Sequence, residues 1–466
     1  MKKIILLLNF LLFLGAVDFS VAQTHVLYGT CLSGGNYNWG TIFQANLDGS
    51  NLHPAYAFRN PEGAAPWGRI AQAPNGKIYG VTYLGGCMDS CTLYEYDPIA
   101  DTCIDVYDFY CTNPISEPSQ SGLTILPDGN IYGLEQNGII YKFNPNTHVY
   151  TLLYQQLSGA VFNGGLIKTS NGRLYGISSY GGGPNSQGYI FSFDLSLNTY
   201  SPVYNFDGIH GAGSSHEYLI QATNGKLYGT TQNGGANNKG VIFSYDLSTN
   251  TYTDLYDFDV ALGSVPEGSL IQATNGKLYG MTAAGGNNNY GVIFSYDIST
   301  SQYAVPYYFD GPNGSFPQVS LTQASNGKLF GTTNGGGTYN QGVAFSYDIA
   351  TGTYTVLASF STYSGANPQG DIYEAVLPVT EGISSVNSSS ASIYVDAASQ
   401  HLIIQNLQLN SSAQLIVYDA VGKNIFQSDI NNQKSEFDLS SYPKGIYFVQ
   451  LCNDGQRITK KIILSK

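Results

Sequence analysis

The sequence repeats itself at a nearly constant interval over most of its length, and this repeat limits the folds available to the chain. The stretch from Ala222 to Asp246 reads ATNGKLYGTTQNGGANNKGVIFSYD, and two close copies follow at steps of 51 residues. Seven units share an aromatic-glycine pair, in which the aromatic residue is Tyr28, Tyr79, Tyr132, Tyr175, Tyr228, Tyr279 or Phe330. The steps between these residues are 51, 53, 43, 53, 51 and 51. A period of this length is typical of folds that stack one structural unit many times.

Each unit contains four short runs that are typical of β-strands. In the copy around Tyr228 they are EYLIQA, KLYGTT, GVIFSYD and TYTDLYDF, and side chains in VIFSYD alternate between two faces. The Asn224-Gly225 pair predicts a two-residue hairpin with a type I′ turn. The 55 Gly and 38 Tyr residues, with only 11% charged residues, also favour strands joined by tight turns. Four antiparallel strands in each unit predict one blade of a β-propeller.

The two ends of the repeat region complement each other. The first unit begins at HVLYGT without a first strand, whereas NPQGDIYEAVL follows the last complete unit and aligns with VPEGSLIQA. The strand at 370–376 is therefore predicted to supply the innermost strand of the first blade, which removes the exposed edges of an open array. We expect an all-β chain: a seven-bladed β-propeller closed by its C-terminal strand, followed by a small Ig-like β-sandwich.

The units resemble the Gly-rich GloVer tandem repeats of secreted bacterial proteins. The resemblance rests on NGKLYG followed by GG and GVIFSYD, and it covers about residues 25–376. It implies a secreted protein with one of several kinds of anchoring tail. It implies no single activity and no catalytic residues.

The chain divides into a signal peptide at 1–22, the propeller repeats at 23–378, a Ser-rich linker at 379–391 and a C-terminal module at 392–466. In the first segment, Lys2 and Lys3 precede an apolar run that ends in small residues before Gln23, as in a secretory signal peptide. This run is too short for a stable membrane span, so no transmembrane anchor is expected.

The C-terminal module contains LIVYDAVGKNIF, FDLSSYPKGIYFVQL and a basic-apolar ITKKIIL terminus. These segments resemble the type A C-terminal sorting domain of the type IX secretion system in Bacteroidota, although YVDAASQ replaces the family's usual Tyr-Pro-Asn-Pro-like start. The resemblance implies the secretion machinery and its sorting peptidase as partners, and a secreted or cell-surface location. The alternative is an ordinary Ig-like binding module.

Charge and side-chain chemistry exclude some functions. The formal net charge is −13, and residues 23–378 hold 24 acidic against 10 basic residues, so nucleic acid is not an expected partner. The histidines show no metal-ligand spacing, although His210 and His216 share one loop and together suit a metal. A histidine in a loop is more often solvated. We therefore expect no catalytic residue, no metal and no cofactor.

Five of the six cysteines lie in the first quarter of the chain. Cys91 is predicted to begin a third strand and Cys111 to end the fourth, so a disulfide across that hairpin is feasible in an exported protein. Cys87 with Cys91, or Cys87 with Cys31 of the adjacent blade, are alternatives. Metal binding by CMDSC is poorly supported.

A binding site is expected on the loops that join strand 2 to strand 3 and each blade to the next, because these loops surround the propeller axis on one face. Their Gly, Asn and Tyr residues suit glycan or protein ligands. The candidate ligand-binding residues are Tyr37, Asn38, Trp39, Trp67, Tyr180, Asn185, Asn238, Asn289, Tyr290, Tyr339 and Asn340. The favoured function is a non-catalytic binding module. The alternative is an extracellular glycan hydrolase or lyase with its site at the axial mouth.

Overall fold

A computed structural model describes residues 23–60, 63–86, 91–109, 122–156, 159–182, 186–213, 218–378, 392–395, 400–405, 413–419, 423–430, 435–453 and 456–464. The predicted signal peptide and linker lie outside these residues. The described residues belong to two compact units, one spanning His25–Leu377 and the other made of the residues from Pro378 onward, with which Gln23 and Thr24 are grouped. The regular elements of the described residues are all β-strands.

The strands of the first unit group into seven antiparallel sheets, within the described ranges. Sheet 1 holds β1 (Gln23–Ser33), β2 (Thr41–Asn46) and β3 (His53–Ala57). Sheet 2 holds β4 (Ala64–Gln72), β5 (Ile78–Leu84), β6 (Thr92–Asp97) and β7 (Thr102–Asp108). Sheet 3 holds β8 (Thr124–Ile125), β9 (Ile131–Glu135), β10 (Ile139–Asn144) and β11 (Val149–Gln155). Sheet 4 holds β12 (Ile167–Lys168), β13 (Leu174–Ser178), β14 (Tyr189–Asp194) and β15 (Thr199–Asn205).

The remaining sheets repeat the same four-strand order. Sheet 5 holds β16 (Ile220–Gln221), β17 (Leu227–Thr231), β18 (Val241–Asp246) and β19 (Thr251–Asp257). Sheet 6 holds β20 (Ile271–Gln272), β21 (Leu278–Thr282), β22 (Val292–Asp297) and β23 (Gln302–Tyr308). Sheet 7 holds β24 (Thr322–Gln323), β25 (Leu329–Thr333), β26 (Val343–Asp348) and β27 (Thr353–Ser359). The last two strands, β28 (Ala366–Pro368) and β29 (Tyr373–Pro378), both pair with β1 in sheet 1.

Sheet 1 therefore contains strands from both ends of the repeat region. Cys31 of β1 pairs with Pro368 of β28, and Ser33 pairs with Ala366. Neighbouring sheets also bury apolar side chains between them, and sheets 7 and 1 share such a cluster, in which the rings of Phe43 and Phe360 lie 5.0 Å apart. Each pair of consecutive sheets shares a cluster of the same kind. The repeated four-stranded sheets form a β-propeller-like fold.

The glycine of each aromatic-glycine pair is required by packing. In sheet 5, Gly229 pairs with Phe243 across β17 and β18, and a Cβ atom at Gly229 would lie 2.7 Å from the phenyl ring. The same contact occurs at Gly29–Phe43, Gly80–Tyr94, Gly133–Tyr141, Gly176–Phe191, Gly280–Phe294 and Gly331–Phe345. Any larger residue would displace the ring, so the repeated motif serves the architecture of every sheet.

The Asn-Gly turn differs from the predicted type I′ turn. Gly225 has a φ of 81°, but Asn224 is not at positive φ, and a type I′ turn needs positive φ at both residues. Gly225 N donates to Ala222 O at 2.8 Å, which closes a longer loop. The prediction was wrong because the Asn224 side chain has another role: its Oδ1 accepts from Lys226 N, and its Nδ2 donates to the Tyr228 hydroxyl at 2.8 Å.

The second unit contains two sheets that bury one core. Its strands are β30 (Ser392–Val395), β31 (His401–Gln405), β32 (Ala413–Asp419), β33 (Asn424–Ile430), β34 (Ser435–Asp438), β35 (Gly445–Asn453) and β36 (Gln456–Leu464). One sheet has the order β30-β31-β34 and the other the order β33-β32-β35-β36. Leu402 and Ile404 of the first sheet pack with Leu415, Val417 and Val449 of the second.

Candidate functional site

The variable loops of the first unit lie together at one end of its sheets. We call this end the loop face; it consists of the loops between the second and third strands of each sheet and the loops that lead to the next sheet. The opposite end, the turn face, carries the Asn-Gly turns. On the loop face, isolated bridges tie the two kinds of loop together, as between Ala212 and Asn233 and between Ser264 and Ala284. These loops therefore form one continuous surface.

The loop face carries most of the exposed large apolar side chains. Ten of those found among the described residues lie there: Tyr37, Trp39, Tyr83, Tyr180, Ile209, Val260, Leu262, Phe316, Tyr339 and Tyr363. The other five lie on outer strands and their turns: Ile99, Ile104, Val149, Leu152 and Leu197. Exposed aromatic groups concentrated on one face are typical of a surface that meets a ligand or partner.

The predicted aromatic residues take different environments. Tyr180 and Tyr339 are 60% and 61% exposed, and Trp39 is 39% exposed. The Arg59 guanidinium lies 4.4 Å from the centroid of the Tyr37 ring, a cation–π contact that orients the ring. Trp67 and Tyr290 are half-buried and contact other aromatic rings. The ring centroids of Trp67 and Tyr83 lie 6.2 Å apart, and those of Tyr290 and Phe316 lie 5.7 Å apart.

The predicted asparagines build the loops. Asn38, Asn238, Asn289 and Asn340 have φ values between 50° and 60°. The Oδ1 atom of each accepts a hydrogen bond from the first glycine of its GG pair. The distance from Gly285 N to Asn289 Oδ1, for example, is 2.9 Å. Their side-chain carbonyl groups are thus already engaged, and whether their amide N–H groups also meet a ligand stays a prediction.

The residue before each of these asparagines occupies the exposed tip of the loop. It is Tyr37 in sheet 1, Tyr339 in sheet 7, and Asn237 and Asn288 in sheets 5 and 6. Sequence reasoning missed Asn237 and Asn288, although alignment of the GG loops from their last glycine would have found them. Asn185 lies outside the described residues.

Strained backbone fixes the loop face in place. Four residues that precede a proline have φ values between 52° and 59°: Ala65, Val265, Phe316 and Asn367. This conformation is rare for bulky and β-branched residues. The backbone N–H of each donates to a loop of the preceding sheet, as from Phe316 to Tyr290 O at 2.9 Å. Strain that recurs at one position persists only where surrounding contacts support it, so these hydrogen bonds hold each loop in one conformation.

A ring of residues closes the axis of the first unit. This inner ring consists of the residue that precedes the buried Leu or Ile of each inner strand: Arg69, Gly122, Gly165, Tyr218, Ser269, Ser320 and Asp371. Backbone N–H groups link its members, from Tyr218 to Ser269 Oγ at 2.6 Å, from Ser269 to Ser320 Oγ at 2.9 Å, and from Ser320 to Asp371 Oδ1 at 2.7 Å. The Arg69 guanidinium lies 5.9 Å from the Tyr218 ring, although sheets 2 and 5 are not consecutive. Arg69 and Tyr218 therefore cross the axis.

These two side chains separate two axial cavities. On the loop-face side the cavity has a volume of about 20 Å³, and Glu267, Gln318 and Gln369 are among the described residues that line it. Gln232 Nε2 donates to Glu267 Oε1 at 2.9 Å, and Gln369 Nε2 donates to Gln318 Oε1 at 2.9 Å. Burial raises the pKa of the Glu267 carboxyl above its usual range, although its amide partners oppose that rise. This small mouth leaves the surrounding loops as the accessible part of the loop face.

On the turn-face side the axial cavity is much larger, at about 650 Å³. Sequence reasoning did not predict it. It is lined by residues from sheets 1 to 5, with Arg69 and Tyr218 at its inner end.

The cysteine and histidine predictions fall partly outside the described residues, which exclude Cys87, Cys111 and His216. The disulfide between Cys91 and Cys111 therefore stays a prediction; Cys91 Sγ lies 3.3 Å from Tyr83 O, to which it donates. Cys31 is buried in sheet 1, and burial raises the pKa of its thiol. His210 contacts Asp207 at 2.8 Å between Nδ1 and Oδ2.

Comparison with protein families identifies the repeat. A profile described as the Gloeobacter/Verrucomicrobia repeat matches residues 18–218 and, in an overlapping second match, residues 166–389. The chain belongs to this repeat family. The resemblance to GloVer repeats is thus confirmed. No curated protein sequence matches the repeat protein.

A second profile, described as the secretion system C-terminal sorting domain, matches residues 398–465. This match confirms the resemblance of the C-terminal module. The sorting domain indicates export by the type IX secretion system, which implies interaction with that machinery and delivery to the cell surface or the extracellular space. No helix in the described part of the chain is both long and apolar enough to cross a membrane.

Solved structures of low sequence identity are similar to the repeat protein. PorZ, a surface component of the type IX secretion system of Porphyromonas gingivalis, is 12% identical with a TM-score of 0.44, over 91% of this chain and 63% of the PorZ chain. The repeat protein thus spans less than two thirds of PorZ. A putative 6-phosphogluconolactonase from Bacteroides fragilis is 15% identical with a TM-score of 0.50, over 76% of this chain and 98% of that chain. TolB from Acinetobacter baumannii is 15% identical with a TM-score of 0.43, over 76% and 66% of the two chains. At such identities, likeness concerns the fold alone.

Proposed function

We propose that the repeat protein is a secreted, non-catalytic binding module: a closed seven-bladed β-propeller at residues 23–378 whose loop face binds a glycan. The observation that carries this proposal is the concentration of exposed aromatic side chains on the loop face. The pairing of β28 and β29 with β1, and the cluster shared by sheets 7 and 1, support closure of the ring.

The arrangement of these aromatic groups supports a glycan ligand. Tyr37, Tyr180 and Tyr339 lie on loops of different sheets, so each presents a separate flat ring, as a chain of sugar units requires. Asn237 and Asn288 occupy the same tip position as Tyr37 and Tyr339, where an amide group can bind hydroxyl groups. Asn237 Nδ2 already donates to Phe258 O at 3.0 Å, so its Oδ1 atom is the group offered to a ligand. The strained loops hold these groups in place before a ligand arrives, which lowers the entropy cost of binding.

The C-terminal module supports the extracellular setting of this function. We expect the type IX sorting peptidase to recognise the Ig-like module at 392–466 and to cleave near the Ser-rich linker at 379–391. The propeller is then released or attached at the cell surface, where glycans are abundant.

The proposal is tested with the purified full chain on an array of bacterial and host glycans, followed by calorimetry with the glycans that bind. Trp39→Ala, Tyr180→Ala and Tyr339→Ala should each weaken binding about 2- to 10-fold, since one aromatic contact contributes about 0.5–1.5 kcal/mol. The matched control is Leu152→Ala, because Leu152 is an exposed apolar residue on an outer strand, and this variant should bind normally.

Three results would count against the proposal. Absence of glycan binding would reject it, as would equal losses for the loop-face variants and Leu152→Ala. If the loop face instead bound an extracellular protein, and Trp39→Ala and Tyr339→Ala weakened that binding, the ligand would be a protein and not a glycan. Turnover of a bound glycan by the wild-type chain would favour the alternative of a hydrolase or lyase.

A further inference from the structure

The large cavity on the turn-face side exists because an interaction between sheets is interrupted there. In most sheets a glutamine or glutamate near the end of the inner strand holds the Asn-Gly turn of the preceding sheet. Gln272 Oε1 accepts from Thr223 N at 2.8 Å, and Gln323 Oε1 accepts from Thr274 N at 2.9 Å. Gln221 with Ser170 and Glu374 with Ser325 make the same contact. Gln72 Oε1 accepts from Val376 N at the equivalent position of sheet 1, where no Asn-Gly turn follows. We call these five contacts the turn hooks.

Two consecutive sheets have no residue that can form a turn hook. Ile125 stands at the hook position of sheet 3, and Lys168 stands at that of sheet 4. The residues that they would hold are Pro74 and Pro127, and proline has no backbone N–H to donate. In both sheets, the side-chain acceptor and the backbone N–H that it would bind are thus missing together. Neither turn is left with an unsatisfied N–H group at this position. Ile125 and Lys168 therefore make no contact of the turn-hook kind.

These departures from the repeat place the cavity beside sheets 3 and 4. Its described lining includes Ile125, Pro127 and Lys168, whereas the hook residues of sheets 6, 7 and 1 do not line it. At the inner ring, Gly122 and Gly165 contribute no side chain, and a Cβ at Gly165 would overlap the Tyr218 ring at 1.6 Å. These glycines thus make room for Arg69 and Tyr218. Beside the two sheets without hooks lies the cavity of about 650 Å³, a volume within the usual range for small-molecule sites.

The cavity is positive in an acidic protein. Arg69 lies at its inner end and Lys168 at its mouth, and its described lining contains no Asp or Glu. Two carboxyl groups lie outside this lining: Asp371 accepts from Ser320 N and offsets part of the Arg69 charge, and Glu374 contacts His25 at 2.8 Å and the Ser325 backbone. Lys168 makes no ion pair with any described residue. With a net charge of −13 over the whole chain, this local excess of cations needs an explanation.

The rest of the lining is apolar on one side and hydrogen-bonding on the other. Leu123, Ile125, Leu166 and Ile167 provide the apolar side. The polar side holds Thr124, Ser170, Gln72 and Gln221, whose side chains also bond to other groups of the protein. An apolar pocket with a few polar groups and two cations suits a ligand with one acidic group and an apolar body.

We propose that the turn-face cavity binds a small organic carboxylate, whose acidic group lies between Arg69 and Lys168 and whose apolar body packs on Leu123, Ile125 and Leu166. This site is separate from the glycan surface, because Arg69 and Tyr218 close the axis between the two faces. It does not depend on the function proposed for the loop face.

The test uses two pairs of probes with the full chain: phenylacetate with phenylacetamide, and N-acetyl-leucine with N-acetyl-leucinamide. Each pair shares its apolar body and differs in the charge of one group. Ligand-observed NMR and calorimetry should show that the acid binds and the amide binds at least about 5-fold more weakly, and that added salt weakens the acid.

Lys168→Met should lower the affinity for the acid about 5-fold and leave the affinity for the amide unchanged. Lys168→Glu should abolish binding of the acid. The matched control is Lys328→Met, because Lys328 lies on the same turn face in sheet 7 but outside the cavity lining. Near-UV circular dichroism checks that each variant is folded. Equal affinity for acid and amide, an unchanged affinity in Lys168→Met, or no binding of either acid at 10-mM-scale concentrations would overturn the proposal.

Discussion

Sheets 5 to 7 and sheets 2 to 4 solve the same folding problem with different residues. In sheets 5 to 7 the repeat is nearly exact in length, serine side chains link the inner ring, and a glutamine in each sheet holds the preceding turn. In sheets 2 to 4 the inner ring has Arg69 and two glycines, and two hooks are replaced by Ile125 and Lys168. The repeated residues link neighbouring sheets, whereas residues that depart from the repeat line the large cavity.

Substitutions in the inner ring should change the free energy of unfolding most. Asp371→Ala removes the acceptor of the buried Ser320 N–H and the carboxyl group beside Arg69. We expect a loss of about 2 kcal/mol in the free energy of unfolding, because the buried Ser320 N–H loses its acceptor and the exposed Arg69 guanidinium loses a nearby carboxyl group. Ser320→Ala, which removes a single hydroxyl acceptor, should cost about 1 kcal/mol.

Urea unfolding followed by tyrosine fluorescence measures both changes. If both variants lost the same free energy of unfolding, the Asp371 carboxyl group would contribute no more to stability than the Ser320 hydroxyl group. A loss confined to sheets 5 to 7, detected by hydrogen exchange, would show that the sheets do not unfold as one cooperative unit.

The second prediction removes a turn hook from sheets 5 to 7 and introduces one into sheets 2 to 4. Gln272→Leu removes hydrogen bonds to Thr223 N and to Gly276 O, and should cost about 1–2 kcal/mol. Ile125→Gln alone should give no gain, because Pro74 has no N–H group to bind. The double variant Ile125→Gln and Pro74→Thr should restore a hook.

A double-mutant cycle on the unfolding free energy measures this restored contact. We expect a favourable coupling of about 0.5–1.5 kcal/mol between positions 74 and 125. A coupling of zero would contradict the role assigned to the hook. The same double variant should weaken carboxylate binding, since the new side chain turns away from the cavity toward the turn.

The smallest expected effect concerns pH, and it compares equivalent positions in sheets 2 and 5. Burial, with the nearby Asp108, raises the pKa of Asp105 to about 7, and burial, with the nearby Asp257, raises the pKa of Asp254 to about 6. A raised pKa in the folded state favours the protonated carboxyl. The stability that each group gives is therefore complete below its unfolded pKa near 4 and is lost as pH rises through 6 to 7.

Asp105→Asn and Asp254→Asn should remove this dependence. Each variant should resemble the wild type in melting temperature at pH 4 and exceed it slightly at pH 8, because the half-exposed carboxyls are partly screened by solvent. The Asp105 change should have its midpoint at the higher pH. Differential scanning fluorimetry from pH 4 to 8 measures the difference, and a parallel shift at every pH would exclude a titration effect.

Much of the fold could be predicted from local patterns. Alternation within VIFSYD and the spacing of the aromatic-glycine pairs predicted the strands, and the unpaired NPQGDIYEAVL segment predicted the return of the chain to β1. The turn type was wrong, because the side chain of Asn224 bonds to Tyr228 and this contact is not visible in a dipeptide. The aromatic loop residues were partly found, whereas Tyr83, Phe316 and Tyr363 were missed because they lie outside the GG loops.

One signal for the large cavity was present in the sequence. Pro74 with Ile125, and Pro127 with Lys168, depart from the Thr-Gln and Ser-Gln combinations of the later units. The meaning of these pairs was not visible, because their members lie about one repeat apart and their contact depends on how neighbouring sheets align.

The sequence by itself determined the repeated β-sheet architecture and the export tail of this protein, because strand alternation, ring-on-glycine packing and the sorting motif are each written within a few dozen residues. The tertiary structure alone decided where the large cavity lies. Arg69, Ile125, Lys168 and Tyr218 come from four sheets, and only the packing of those sheets around one axis brings a guanidinium, an ammonium and an apolar surface to the same cavity. The length of each side chain at the axis then determines how much of the cavity stays open, and this depends on how the sheets pack together.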